Sequence, residues 1–243
     1  MRRLTLAMCY LDQPKMAERQ FQTWASYPAE VKSRLTCIMV DDGSENYPLA
    51  EVQRPDGLPD LRLYRIGTRV PWGWPRGHNL ALLEAHDGWV LLTDLDHQLD
   101  ADQVERVLTV PLRSGCVYQP ARRKAPGLEP HKRHADTYLL ERAVYWKAGG
   151  TSLKFLGWYG CSSVFRNRLR MFAPIVETDA FYQVVWNLAG ENLGDIPDAG
   201  VAGLGRKGSS HHVSRSPELA ALKKTAHLQA PENPMDFPWE RLL

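Results

Sequence analysis

Two short stretches of this 243-residue chain carry side chains whose types and spacing suit the handling of a phosphorylated ligand. Thr93-Asp94-Leu95-Asp96-His97 sets two carboxylates two residues apart, directly after the apolar run Trp89 to Thr93. If extended geometry continues through the pair, both acids face one side, where they can approach one hard cation or the phosphate it carries. Val40-Asp41-Asp42-Gly43-Ser44 ends another apolar run in the same way. That composition also suits an ordinary Asx turn, just as Asp96 or Asp100 also suits a helix N-cap.

Both acidic clusters need elements to hold them. Leu4 to Leu11 reads as a first strand, and Met16 to Val31, with Met16, Phe21, Trp24 and Tyr27 at near-helical spacing, reads as a helix. Leu35 to Val40 is a second strand, Leu61 to Ile66 a third, Gly77 to His86 a helix, and Trp89 to Thr93 a fourth strand. Strands alternating with helices predict an α/β fold with a mostly parallel central sheet flanked by helices, in which ligands gather at the carboxyl edge. Both clusters fall on that edge.

The second half is less regular. The sequence predicts a strand at Cys116 to Gln119, a helix over Thr137 to Lys147 closed by Gly149-Gly150, a strand over Gly160 to Phe165 and an amphipathic helix over Asp179 to Ala189. Gly203 to Ser216 is expected to be mobile until a ligand orders it. Arg122, Arg123 and Lys124 with His131, Lys132, Arg133 and His134 form a basic loop, read as a solvated surface or, more sharply, as a guide for an anionic acceptor.

A hydrophobic fraction of 44% supports one packed domain over 1–243, divided into a nucleotide-binding half (1–100) and an acceptor half (101–243). Lys plus Arg (30) nearly balance Asp plus Glu (28), so no global field points to nucleic acid or an acidic membrane. Cys9, Cys37, Cys116 and Cys161 form no CxxC pair and are read as reduced core residues of a cytoplasmic protein. No window approaches the roughly 18 apolar residues of a membrane span.

The order Val40-Asp41-Asp42-Gly43-Ser44, then Gly73 through Asn79, then Asp94-Leu95-Asp96 resembles family 2 glycosyltransferases. The resemblance runs from about Leu4 to Gln98 and more thinly to about Val213. It implies a single Rossmann-like GT-A domain with a mixed acceptor-side half, and a metal-dependent, inverting transfer from a UDP-sugar to an acceptor hydroxyl. By that resemblance Asp42, beside Asp41, contacts the uracil, Tyr10 packs beside the base, and Asp94 lies near the ribose. Asp96 binds the metal, and Arg76 and Asn79 lie close to the donor. Trp72 and Trp74 fall outside the usual pattern; they line a sugar pocket or cap the core.

For the base that takes the acceptor proton, two alignments compete. Gly157-Trp158-Tyr159-Gly160-Cys161-Ser162 resembles the Gly-Trp-Gly-Gly-Glu-Asp stretch of β-1,4-galactosyltransferases without its acids. Glu177-Thr178-Asp179 fits the segment that opens a helix in family 2, which favours Asp179, with Glu177 second. Metal-dependent members of the fold carry a histidine about thirty residues after the base, which points to His211 or His212. Imidazole with carboxylates suits Mn²⁺ better than Mg²⁺, and Lys207 and Arg215 are placed to steady the leaving diphosphate. The acceptor stays open among glycan, lipid, protein and hydroxylated bases of DNA. Other readings are a nucleotidyltransferase, which lacks a Gly-rich phosphate loop here, and a non-catalytic nucleotide-sugar or nucleic-acid binding module.

Overall fold

The computed structural model describes residues 2–186, 212–229 and 232–243. The first half forms β1 (Leu4–Tyr10), α1 (Pro14–Ala25), α2 (Ala29–Lys32), β2 (Leu35–Asp41), β3 (Asp60–Ile66), α3 (Trp74–Glu84) and β4 (Trp89–Thr93). The remainder forms β5 (His97–Gln98), α4 (Ala101–Thr109), β6 (Val117–Lys124), β7 (Glu129–His131), β8 (Tyr138–Glu141), α5 (Arg142–Lys147), α6 (Ser162–Phe172), β9 (Ile175–Val185), α7 (Pro217–Thr225) and β10 (Trp239–Arg241). The strands make one sheet in the order β10-β3-β2-β1-β4-β8-β6-β9-β5, with β7 on β6. From β3 to β4 the pairing is parallel, and beyond β4 the sheet is mixed.

Alternation along the central strands divides the core. Leu4, Leu6, Met8 and Tyr10 of β1 join Leu35, Cys37 and Met39 of β2 in a layer under α1 and α4. Ala7, Ile38, Val40, Val90 and Leu92 point to the other face, where α3, α5 and α6 contribute Leu80, Tyr145, Phe165 and Leu169. A third, smaller cluster gathers Phe155, Cys161, Val164, Val213 and Ala226. All four cysteines are free thiols. No helix among the described residues is long and apolar enough to cross a membrane.

Three expected elements of the second half differ. Residues 137–147 were expected as one helix, but Tyr138, Leu139 and Leu140 are all buried in β8, between β4 and β6, before α5 begins. A short continuous apolar run does not distinguish a buried strand from a helix. The expected strand over 160–165 is absent: α6 opens at Ser162, since Val164, Phe165, Arg168 and Leu169 recur at helical spacing and bury one face. The segment from Asp179 is not helical through Val185: it lies in β9, where β-branched Ile175, Val176, Thr178, Val184 and Val185 outweigh the cap-like Thr178-Asp179. The basic loop is largely a hairpin of β6 and β7, with Arg122 opposite His131.

Candidate functional site

Parallel registration decides which chain ends meet. Tyr10 pairs with Asp41 and Met8 with Thr93, so the exits of β2 and β4 flank the tip of β1. Asp42 and Asp94 therefore lie on either side of Tyr10. Because β8 runs antiparallel to β4 with Leu92 opposite Tyr138, the residues entering β8 return beside the residues leaving β4. That return brings His134 and Asp136 to the acids. A cavity of about 400 Å³ opens here, lined by Tyr10, Asp42, Asp94, His134, Asp136 and Ser162 among others.

Asp42 is 4% exposed at its side chain, and its Oδ1 accepts from Arg76 Nη2 at 2.9 Å. Burial pushes Asp42 up to about 7 despite that guanidinium. A Cβ at Gly73 would stand 2.1 Å from Asp42 Oδ2, so the backbone that enters α3 rests directly on the carboxylate. Arg76 also donates to Thr68 Oγ1 and to the Thr68 carbonyl, which ties the loop after β3 to the same point.

β4 ends at Thr93, and the amide of His97 donates to the Asp94 carbonyl at 3.1 Å. The two acids thus sit on a turn rather than on one face of a continuing strand, because the chain must reverse to enter β5. Gln20 of α1 donates to the carbonyls of Leu95 and His97, both at 2.8 Å, and holds the turn from outside. His134 Nε2 lies 3.3 Å from Asp94 Oδ2. Asp94, His97 and His134 each offer one ligand atom, all within 4.8 Å of one another. Arg122 Nη1, a donor only, lies 2.8 Å from His97 Nε2 and takes up that nitrogen's lone pair. His97 Nδ1 faces Thr93 Oγ1, which also accepts from Gln183.

His97 is therefore a support behind the turn. Asp94 and His134 are then the carboxylate and imidazole placed together for a divalent ion. Burial raises Asp94 to about 6, opposed by Arg122. Burial and then repulsion by Asp94 raise Asp96 to about 6. Burial lowers His134, which favours the neutral, ligating form.

Asp136 faces the same cavity, and Ser162 Oγ, at the start of α6, donates to its Oδ2 at 2.6 Å. Burial raises Asp136 to about 6, and the Ser162 hydrogen bond opposes the shift. In the sequence His134 stands out only as part of a basic loop, and Asp136 does not stand out at all. The missed signal was the apolar run Tyr138-Leu139-Leu140, which as a strand beside β4 carries its preceding residues to the site.

The other expected site residues are placed as follows. Asp41 is buried and accepts from the amides of Ser44 and Leu49, so it shapes the loop after β2. Asn79 is fully buried; it accepts from Tyr145 and Thr151 and donates to the carbonyls of Thr151 and Pro234, behind the cavity wall. Arg76 is likewise behind Asp42 rather than in the lining. Asp96 faces a cleft with Gln20 and Trp186.

Glu177 and Asp179 lie outside the cavity lining, on β9, with side chains 70% and 83% exposed and ion-paired to Arg133. Neither opens a helix. The ring of His212 packs over Gly160 and Tyr159 at the rim, and Arg215 closes the short 3₁₀ turn after it. Lys207 and His211 lie outside the described residues. Of the basic segment, Arg122 and Arg133 turn to internal partners, which leaves less free charge for an anionic acceptor.

No family model and no curated protein matches the sequence. Solved structures do match. A fragment of S. aureus TarS in complex with UDP-GlcNAc aligns with TM-score 0.61 at 14% identity, covering 80% of this chain and 61% of that one. The mannosyltransferase PcManGT from Pyrobaculum calidifontis, in complex with GDP-Man and Mn²⁺, aligns with TM-score 0.57 at 15% identity, covering 96% of this chain and 67% of that one. The chain thus spans about three fifths of the TarS fragment. These likenesses establish the GT-A glycosyltransferase fold.

Proposed function

We propose that the protein is a glycosyltransferase of the family 2 kind that takes a UDP-sugar with a divalent ion, Mn²⁺ before Mg²⁺, and transfers the sugar to an acceptor hydroxyl with inversion. The observation that carries the reading is the convergence of Asp42, Asp94, His134 and Asp136 on one cavity. Asp42 receives the nucleotide base at one end, where a carboxylate accepts an imide N–H; the Tyr10 ring, expected to pack beside the base, is buried in the core layer instead. Asp94 and His134 would hold the ion, which when bound supplies positive charge against the diphosphate. TarS with UDP-GlcNAc and PcManGT with GDP-Man and Mn²⁺ support this chemistry by analogy of fold.

Asp136, rather than Asp179 or Glu177, takes the base role in this reading. The acceptor oxygen attacks the anomeric carbon, the bond from that carbon to the diphosphate oxygen breaks, and the acceptor proton passes to the Asp136 carboxylate. Ser162 orients that carboxylate, and a value near 6 keeps it ionised yet proton-accepting at neutral pH. Glu177 and Asp179 are held by Arg133 away from the lining.

Thermal shifts with UDP- and GDP-sugars, with and without Mn²⁺, test donor and metal. Donor turnover by D136N and D179N tests the base: D136N is expected to lose at least about a hundredfold in turnover while keeping donor affinity, and D179N to stay near wild type. The reverse pattern would return the role to Asp179.

A further inference from the structure

A second cavity, of about 320 Å³, borders the first across Gly160. Its size falls at the lower end of ligand-binding cavities, roughly 300–1,000 Å³. Ser163, Asn167, His212, Ser214, Lys223 and Lys224 supply its polar groups, and no carboxylate lines it among the described residues. The first cavity has the opposite character, with Asp42, Asp94 and Asp136. In a chain whose charges nearly balance, two lysines without an acid form a local positive site.

The lysines hold different posts. Both stand in the last turn of α7, Lys223 half-buried and Lys224 exposed. Lys223 Nζ donates to the Gly160 carbonyl, so its charge sits at the partition between the cavities. Lys224 has no hydrogen bond or ion pair among the described residues. The partition is braced by the Val213 amide, which donates to the Tyr159 carbonyl at 3.0 Å. Gly160, at φ +90°, carries no side chain against the His212 ring, where a Cβ would stand 2.7 Å from Nε2. Ser162 and Ser163, consecutive on the first turn of α6, therefore line different cavities. Ser162 holds Asp136, the proposed base, and Ser163 lies with the lysines.

Ammonium groups with hydroxyl and amide donors around one space suit a polyoxo anion, which accepts from several directions at once. A hydroxyl presented to Asp136 and an anion beside Lys224 would be divided only by the partition at Gly160, so both fit on one small unit of an acceptor. We propose that the second cavity receives a phosphate group of the acceptor, which makes the acceptor a phosphorylated sugar or polyol whose own hydroxyl takes the transferred sugar. This deepens the transferase reading and rests on it. The basic hairpin is the poorer place for that anion, since Arg122 and Arg133 turn to internal partners.

The test is calorimetric titration with glycerol 3-phosphate, and with glycerol as its uncharged control, into protein saturated with UDP and Mn²⁺. Wild type is compared with K224E and with K124E, which reverses an exposed charge on the hairpin. Glycerol 3-phosphate should bind wild type saturably, and glycerol should not. K224E should weaken that binding about tenfold or more, and K124E by less than about twofold. In wild type the rate of UDP release from the UDP-hexose that most raises its melting temperature should change with the same half-saturation, upward where the probe accepts the sugar and downward where it excludes water. No saturable binding beside UDP, equal weakening by K124E, or a filled site that leaves UDP release unchanged overturns the proposal alone. A wild type that binds neither UDP nor a sugar nucleotide overturns the transferase reading and this inference with it, and is seen before any probe is added.

Discussion

Replacing Arg76 by methionine tests the electrostatics beneath the nucleotide end. Arg76 and Asp42 are in contact at 2.9 Å with side chains 3% and 4% exposed, and burial already raises Asp42 to about 7 with the cation present. Removing one partner of a buried ion pair costs ~3–5 kcal/mol. For a chain of this size each kcal/mol moves the melting temperature by about 2–4 °C, so R76M should melt roughly 6–20 °C lower. The carboxylate can escape by taking a proton, which gives the loss a sign in pH. A carboxyl raised in the folded state costs little below its unfolded value near ~4, and its cost grows as pH climbs toward the folded value. In R76M that folded value rises further, so the deficit should be larger near pH ~8 than near pH ~6, by up to ~1.4 kcal/mol per unit. The double variant R76M/D42N, with no charge left to strand, should recover most of it. Melts of wild type, both single variants and the double at the two pH values give the cycle. A melting temperature for R76M within about 2 °C of wild type near pH ~8, or no rescue by D42N, would refute the argument.

His78 is fully buried against Trp74, and burial lowers it to about 3. A depressed histidine stabilises the fold above its unfolded value near ~6.5 and loses that stability as pH falls toward the folded value, so H78Q should flatten the acid limb of a stability profile, by ~2 kcal/mol at pH ~5. An unchanged limb would place the acid sensitivity elsewhere. Asn79 joins α3 to Tyr145, Thr151 and Pro234. N79A should cost ~2–4 kcal/mol in chemical denaturation, since several buried groups lose partners at once, while UDP affinity of the folded fraction stays unchanged. Weakened affinity with unchanged stability would put Asn79 back at the donor, where the sequence resemblance had it.

The parallel half of the sheet was legible because its signals are local. Runs such as Leu35 to Val40 end at loop residues, and their order fixes which acids reach the carboxyl edge. Asp42 and Asp94 followed from that order. The acceptor half was not legible, because its strands take their identity from neighbours. Tyr138-Leu139-Leu140 is a strand only because β4 and β6 flank it, and β9 overrides a cap-like Thr178-Asp179 through pairing with β6 and β5. Arg122 shows the same limit for charge: as one cation of a basic run it reads as solvated, yet the hairpin folds it inward onto His97. The proposed move of the base from Asp179 to Asp136 turns on the same point, since the place of Asp136 at the cavity depends on the register of β8.

Behind the acidic turn, Lys132, just after β7, is joined through Arg122 of β6, His97 of β5 and Thr93 of β4 to Gln183 of β9. Residues remote in the chain thus set the posture of Asp94 and Asp96. A fragment confined to 1–100 would keep every residue of the acidic pair and lose the braces that aim it. In the proposed reading, the grip on a sugar nucleotide therefore belongs to the whole sheet and not to a detachable module.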